Sequence, residues 1–345
     1  MDFKTLLADT RYDFLRDKEY LNRNIMLLTL GGSHAYGTNV ESSDVDLRGI
    51  AANTKESLLG LHNVGYKDND LEQFVDVETD TVVYMLNKII SLLLSCNPNT
   101  IEMLGCKPEH YLYLSESGKM ILDNAKLFLS RRAINSFGGY ATAQLRRMTN
   151  ALARDVYTSS ERETHIFATC ESVLATFNER HGSLPEGSIQ LTTTKSDLPD
   201  KDTEIAVNVS LAEFPLRHWQ ACLNELHAVV KDYDKLTKRN HKKDAAHLNK
   251  HAMHLIRLYL MGCDILEKEQ IITYREEEHE LLMSIRNGEF MKADGTYRPE
   301  FFTLIDICEK RLAYAAKNTS LPEKPDITAV NDLVTSLNYK AITTV

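Results

Sequence analysis

The sequence predicts an α+β protein, with a small mixed-sheet domain at the amino end and a mainly α-helical domain after it. Three observations predict this. A strand-like apolar run, Ile25–Leu30, opens directly onto Gly31-Gly32-Ser33. A second strand signal runs from Asp44 to about Ala52, with Asp44 and Asp46 alternating with Val45 and Leu47. From Val82 onward apolar residues recur at a helical period, and beyond Ile121 nearly every segment does so. A chain of 345 residues is long enough for two domains with cores of their own. The expected division is 1–120 and 121–345.

Taken in order, residues 1–24 read as one charged amphipathic helix or two short pieces. After the two strands above, Lys67-Asp68-Asn69-Asp70 is a polar turn and residues 73–78 a further strand. Apolar positions 82, 86, 89 and 93, flanked by 83, 90 and 94, predict a helix that Asn97-Pro98 stops. Helices are then expected over 127–152, 162–179, 212–232 and 244–264. Residues 182–205 hold prolines, glycines and the Thr192-Thr193-Thr194 run, which marks a loop excursion. A second loop falls near 287–299, and the tail after Ser320 is expected as a docked extension or a frayed end.

Composition narrows the function classes. The net charge of −9 argues against a chain that coats nucleic acid nonspecifically, leaving room for a local basic patch. No apolar run approaches the roughly 18 to 20 residues that span a membrane. Asp2, Asp9, Arg11 and Asp13 interrupt the amino end and speak against a cleavable signal. The six cysteines are scattered without a C-x-x-C pair, which suits a reducing cytosol and offers neither a zinc knuckle nor a disulfide framework.

The chemistry concentrates in residues 31–48. Strand residues i and i+2 share a side, so Asp44 and Asp46 project together. Adjacent carboxylates repel unless something positive sits between them, and divalent ions carrying nucleotide phosphates answer that need. Glycines let backbone N–H groups approach a phosphate closely, a following helix start adds favourable partial charge, and Ser33 adds a hydroxyl. The plain alternative is an ordinary strand-entry turn, where Asp and Ser are common. Gly-Gly-Ser or Asp-x-Asp alone is a weak signal; the two together after an apolar strand are more specific.

The stretch Gly32-Ser33-His34-Ala35-Tyr36-Gly37-Thr38, followed by Ser42-Ser43-Asp44-Val45-Asp46-Leu47-Arg48-Gly49, resembles the G-S-x-A-x-G-[ST]…S-D-x-D signature of the DNA polymerase β superfamily of nucleotidyltransferases. The extended form ending D-x-D-x-R-G is similar to a bacterial and phage branch, some of whose members accompany RNA-repair genes. Asp80-Thr81-Val82-Val83-Tyr84-Met85-Leu86-Asn87-Lys88, then Asn97-Pro98-Asn99 and Ile101-Glu102, resemble that branch's second block. Ser136 to Tyr140, Gln144-Leu145, and Lys250-His251 through His254 to Leu258 look like its helical half.

The resemblance implies a polymerase-β-type catalytic domain and a transfer reaction that uses three carboxylates around two metal ions, Mg²⁺ or Mn²⁺. Asp44 and Asp46 are two of them. Asp76, Glu78 and Asp80 alternate, so spacing does not choose the third; the resemblance favours Asp80, with Asp76 second. The plain alternative for Asp80 is an N-cap of the following helix. Gly32 and Ser33 are implied as the phosphate turn. Arg48 shares the face of the aspartates and either contacts phosphate or pairs with an acid. His251 and Arg257 are implied as contributors to the nucleotide or acceptor cleft. The implied substrates are an NTP and an acceptor hydroxyl, first an RNA end such as tRNA, in the cytosol of a bacterial cell or phage-infected host. Transfer to a protein or a small molecule, and a non-catalytic nucleotide-binding role, are the alternatives.

Two further features have readings of their own. His247, His251 and His254 fall on one helix face, a polar face in the plain reading and a metal site in the bold one, although no acidic or Cys ligand is near in sequence. Lys235, Lys238, Arg239, Lys242, Lys243 and Lys250 form a positive run that suits a solvated surface or the steering of RNA or triphosphate.

Overall fold

A computed structural model describes residues 3–60, 72–155, 159–181, 184–195, 197, 203–238 and 245–343. The amino-terminal region is framed by a five-stranded mixed sheet. Its strands are β1 (Ile25–Leu30), β2 (Leu47–Ala51), β3 (Gln73–Asp76), β4 (Thr81–Met85) and β5 (Tyr111–Leu114), in the order β3-β4-β2-β1-β5. β2 and β4 run parallel and every other neighbouring pair antiparallel. All of β1 after Ile25 is buried, so it reads as a continuous apolar run rather than an alternation. Leu28, Leu30, Leu47, Ala51, Val83 and Met85 form one core with Tyr12, Leu15 and Leu21 from the short helical turns that precede the sheet.

Three strand expectations are adjusted. β2 begins at Leu47, so Asp44 to Asp46 lie just ahead of it. The chain leaves β1 at Gly31, whose N–H reaches the Asp46 carbonyl oxygen at 2.8 Å, and then turns into the helix Gly32–Tyr36; no strand remains beside Asp44 to pair with. The strand expected over 73–78 ends at Asp76, and residues 77–80 form a turn. The helix expected from Val82 starts instead at Leu86. Thr81, Val82, Val83 and Tyr84 are β-branched or aromatic, and a parallel partner in β2 lets them form β4. The helix Leu86–Leu94 then buries Leu86, Ile89, Ile90 and Leu93, which is the periodicity visible in the sequence.

The remainder is mostly helical, with long helices at Ala133–Asp155, Ser159–His181, Leu216–Lys238, Ala245–Lys268, Pro299–Asn318 and Ile327–Thr343. The excursion holds an antiparallel pair, β6 (Ile189–Lys195) and β7 (Thr203–Val209). The tail is the docked alternative: its last helix buries Val330, Leu333 and Leu337. The polar turn at 67–70 and the basic residues Arg239, Lys242 and Lys243 lie outside the described residues.

The chain forms two compact units. The first gathers residues 1–144, 252–287 and 299–345; the second comprises 145–251 and 288–298. The division expected at residue 120 falls inside the first unit, in the helix Glu116–Asp123. That helix lies so close to β1 that a Cβ on Gly118 would stand 2.1 Å from the Met26 carbonyl oxygen. In the second unit the helices Ser159–His181 and Leu216–Lys238 pack together, and the Tyr297 hydroxyl donates to Asn249 Oδ1 at 3.0 Å. Among the described residues no helix is long and apolar enough to cross a membrane. The six cysteines are free thiols.

Candidate active site

The first unit brings the predicted turn, Asp46 and Asp80 together at one end of three adjacent strands. The Gly31 N–H donates to the Asp46 carbonyl, and the Leu47 N–H donates to the Asp80 carbonyl at 3.3 Å. The backbones at Gly31, Asp46 and Asp80 therefore lie side by side as the sheet ends. β2 pairs with β4 through Leu47 opposite Thr81, which sets Asp46 level with Asp80. Asp44 is exposed, whereas Asp46 and Arg48 are half-buried.

Glycine is required at the turn for two reasons. Gly32 has φ +54°, the left-handed region that L side chains rarely adopt. A Cβ there would stand 1.7 Å from Asp46 Oδ2 and 2.8 Å from its Cγ, so the Asp46 carboxylate lies directly against the Gly32 backbone. At Gly31 a Cβ would meet Arg48 Cγ at 2.9 Å and Asp46 Cβ at 3.4 Å. Asp46 and Arg48 thus share the face that the turn covers, as strand parity predicts.

The candidates for the third carboxylate are separated by the turn that ends β3. Asp76 Oδ2 accepts from the Thr79 N–H at 2.9 Å and from the Thr79 hydroxyl at 2.7 Å, which commits Asp76 to the turn. Glu78 is exposed within it. Asp80 has φ 46°, a left-handed conformation that Asp tolerates better than most residues. It leads into β4 rather than a helix, so the N-cap reading does not apply. Its carboxylate meets Arg48: Nη2 lies 3.3 Å from Asp80 Oδ1, and Nη1 donates to the carbonyls of Leu47 and Asp80. Of the two readings of Arg48, the structure displays the pairing with an acid.

Behind the turn lies a buried polar cluster. The Tyr36 hydroxyl donates to Glu102 Oε1 at 2.8 Å, and Arg257 Nη1 lies 3.2 Å from Glu102 Oε2. The Arg257 guanidinium stacks 3.6 Å from the Tyr36 ring centroid. Burial pushes the Tyr36 phenol well above its ordinary range and keeps it protonated as a donor. Arg257 is 4% exposed, so the structure places it inside, buttressing the helix Gly32–Tyr36, rather than on an open surface. His254 packs edge-on against Tyr36, with centroids 5.8 Å apart. His247 is exposed, and His251, in the second unit, is half-buried.

Sequence reasoning missed the residues that hold this helix at its far end. The Arg275 N–H donates to the Tyr36 carbonyl at 3.1 Å, and the Tyr274 ring covers Gly37, whose φ is +74°. Arg275 is itself buried against Asp264 and Glu278. Arg286 donates to the Thr38 carbonyl at 2.6 Å and to the Ser43 hydroxyl at 3.3 Å, which anchors the loop leading to Asp44. Glu102 was visible as the acid of the second block; Arg275 and Arg286 carry no local signal.

Asp44 and Asp46 offer hard oxygen donors of the kind that suits Mg²⁺ or Mn²⁺. Among the described residues, however, no group of three or more His, Cys, Asp or Glu side chains is gathered closely enough to hold a metal ion.

Residues 10–164 match the RlaP family model, described as the RNA repair pathway DNA polymerase beta family. No curated protein and no solved structure matches the chain. The matched segment contains the Gly32-Ser33 turn, Asp44, Asp46, Arg48, Asp80 and Glu102 on the mixed sheet described above. Through this segment the chain is similar to a polymerase-β-type nucleotidyltransferase family.

Proposed function

We propose that the protein transfers a nucleoside monophosphate from an NTP to the hydroxyl of an RNA end, such as that of a tRNA. The observation that carries this reading is the meeting of the Gly31-Gly32-Ser33 turn with Asp46 and Asp80 at the ends of adjacent strands. The RNA-repair description of the matching family supports RNA as the acceptor. Two divalent cations, Mg²⁺ or Mn²⁺, would supply positive charge to the phosphates when bound.

The chain's own residues do the rest. The backbone of the glycine turn and the Ser33 hydroxyl hold the triphosphate. Asp44 and Asp46 fix the reacting end, and Asp80 takes the proton of the attacking hydroxyl. The acceptor oxygen bonds to the α-phosphorus in line as the bond to the bridging oxygen breaks, and pyrophosphate leaves. Arg257, Glu102 and Tyr36 keep the turn in place from beneath; positioning of this kind is a large share of catalysis in such reactions.

The test is incubation of the purified chain with each labelled NTP, Mg²⁺ or Mn²⁺, and a pool of small RNAs. Label on RNA that disappears in Asp44→Asn and Asp46→Asn supports the reading. Label on protein redirects the acceptor. NTP binding without transfer under every condition overturns the enzymatic reading in favour of a nucleotide-binding role.

A further inference from the structure

We propose that a basic pocket at the start of the helix Ala133–Asp155 binds the phosphate groups of a single-stranded RNA end. This inference rests on the RNA-acceptor reading above and names a contact that the sheet-end acids do not supply. The pocket, of about 510 Å³, lies within the first unit, between that helix start and the end of the helix Pro299–Asn318. Arg131, Arg132 and Lys317 line it together with one acid, Glu323. Three cations against one carboxylate leave a local charge of +2, on a chain whose net charge is −9.

The three cations are held differently. Arg131 staples one wall: its N–H donates to the Pro322 carbonyl at 2.9 Å, Nη2 donates to the Thr319 carbonyl at 3.2 Å, and Nη1 lies 3.1 Å from Glu323 Oε1. Its Nε is buried without a hydrogen-bond partner among the described residues. Arg132 is exposed, and Nη1 donates to the Leu94 carbonyl at 3.2 Å, which leaves other donors of the guanidinium fork for a phosphate. Lys317 is exposed and has no ion-pair partner among the described residues. The first N–H groups of the helix are engaged by the carbonyls of Ser130, Arg131 and Arg132, so the holding of an anion falls to the side chains.

A polar helix face leads away from the pocket. Arg132, Asn135, Ser136, Gly139 and Tyr140 recur at i, i+3, i+4, i+7 and i+8 and so share one side. A Cβ on Gly139 would meet nothing within 4 Å, which leaves the backbone there open to a ligand. Tyr140 is 37% exposed, a ring on which a base can stack, and its hydroxyl accepts from Asn97 Nδ2 at 3.3 Å. Beyond it, Tyr84 of β4 lies within electrostatic reach of both Tyr140 and Arg48. Arg132 and Tyr140 stand about 12 Å apart along the helix axis. A strand of alternating phosphates and bases fits that extent better than one small anion does.

The experiment follows the anisotropy of a labelled single-stranded RNA of about 12 nucleotides on the full chain, over a range of salt concentrations. Arg132→Gln and Lys317→Gln are each expected to weaken binding about three- to fivefold at about 0.1 M salt and to lower the salt slope by about 0.7. Glu323→Gln should tighten binding by a similar factor, a gain that a purely structural role would not give. Lys119→Gln, at an exposed lysine outside the pocket, should change neither quantity. Where Arg132→Gln does not fold, Lys317→Gln decides. Native RNA affinity in Lys317→Gln, or an equal loss in Lys119→Gln, overturns the proposal. Weaker binding of a nonhydrolysable NTP with native RNA affinity assigns the pocket to the nucleotide and overturns it as well. A chain that labels a protein or small molecule and binds no RNA overturns it while nucleotidyl transfer stands. RNA binding that depends on Arg132 and Lys317 without any label transfer supports the pocket while the enzymatic reading falls.

Discussion

Replacing Gly32 by alanine isolates the contact between the glycine turn and Asp46. The new Cβ would stand 1.7 Å from Asp46 Oδ2, whereas a relaxed carbon–oxygen contact needs about 3.3 Å, so the carboxylate must retreat by roughly 1.5 Å. A misplacement of about 1 Å at a reacting group can cost a factor of about 100 in rate. The left-handed backbone at φ +54° adds about 1–2 kcal/mol of strain for a residue with a Cβ. That strain lowers the melting temperature by roughly 2–8 °C for a unit of this size. The expected outcome of Gly32→Ala is a folded protein whose kcat for label transfer falls about 100-fold or more. Gly31→Ala meets the flexible stem of Arg48 instead and should lose less than about tenfold. Calorimetry and steady-state transfer assays on both variants decide it. A Gly32→Ala protein within threefold of native kcat would refute the placement of Asp46 against the turn.

Asp80→Asn should abolish transfer, while Asp76→Asn should keep most of it, because Asp76 is committed to Thr79; the reverse ranking in the same assay would make Asp76 the third acid. Asp264→Asn removes one of the two carboxylates that hold the buried Arg275 guanidinium, leaving Glu278 alone, and should cost up to about 3 kcal/mol in denaturant unfolding. His110 and His165 are both held below the usual histidine range by burial. A lowered folded-state value means that the unfolded chain binds more protons, so stability is full above pH 6.5 and declines as pH falls towards 5. Thermal melts between pH 7.5 and 5.5 should show this decline, and His110→Gln with His165→Gln should flatten it.

Much of the candidate site was legible because its parts are local. Ile25–Leu30, the glycine turn and the Asp44–Arg48 alternation lie within one short stretch, and backbone parity alone puts Asp46 and Arg48 on one face. The candidates for a third acid were harder to tell apart, since Asp76, Glu78 and Asp80 alternate in sequence; the turn at 77–80, which breaks that alternation, gives them different surroundings. Val82 to Met85 misled for a different reason. Short apolar runs fit a strand and a helix equally well, and pairing with β2 decided the matter. Arg257 was legible as a family-block residue but not as an interior one, because its partners Glu102 and Tyr36 are distant in sequence.

The Arg275–Tyr36 hydrogen bond has a consequence for biosynthesis. Roughly 240 residues separate the two ends of that contact, and at about 5–20 residues per second a ribosome needs about 12–48 s to supply them. During that interval the amino-terminal sheet has emerged without Arg275 at Tyr36, Tyr274 over Gly37 or Arg286 on the loop before Asp44. A nascent chain thus lacks the braces of the turn until its distal half is made, and a fragment ending at residue 164 carries every matched motif without them.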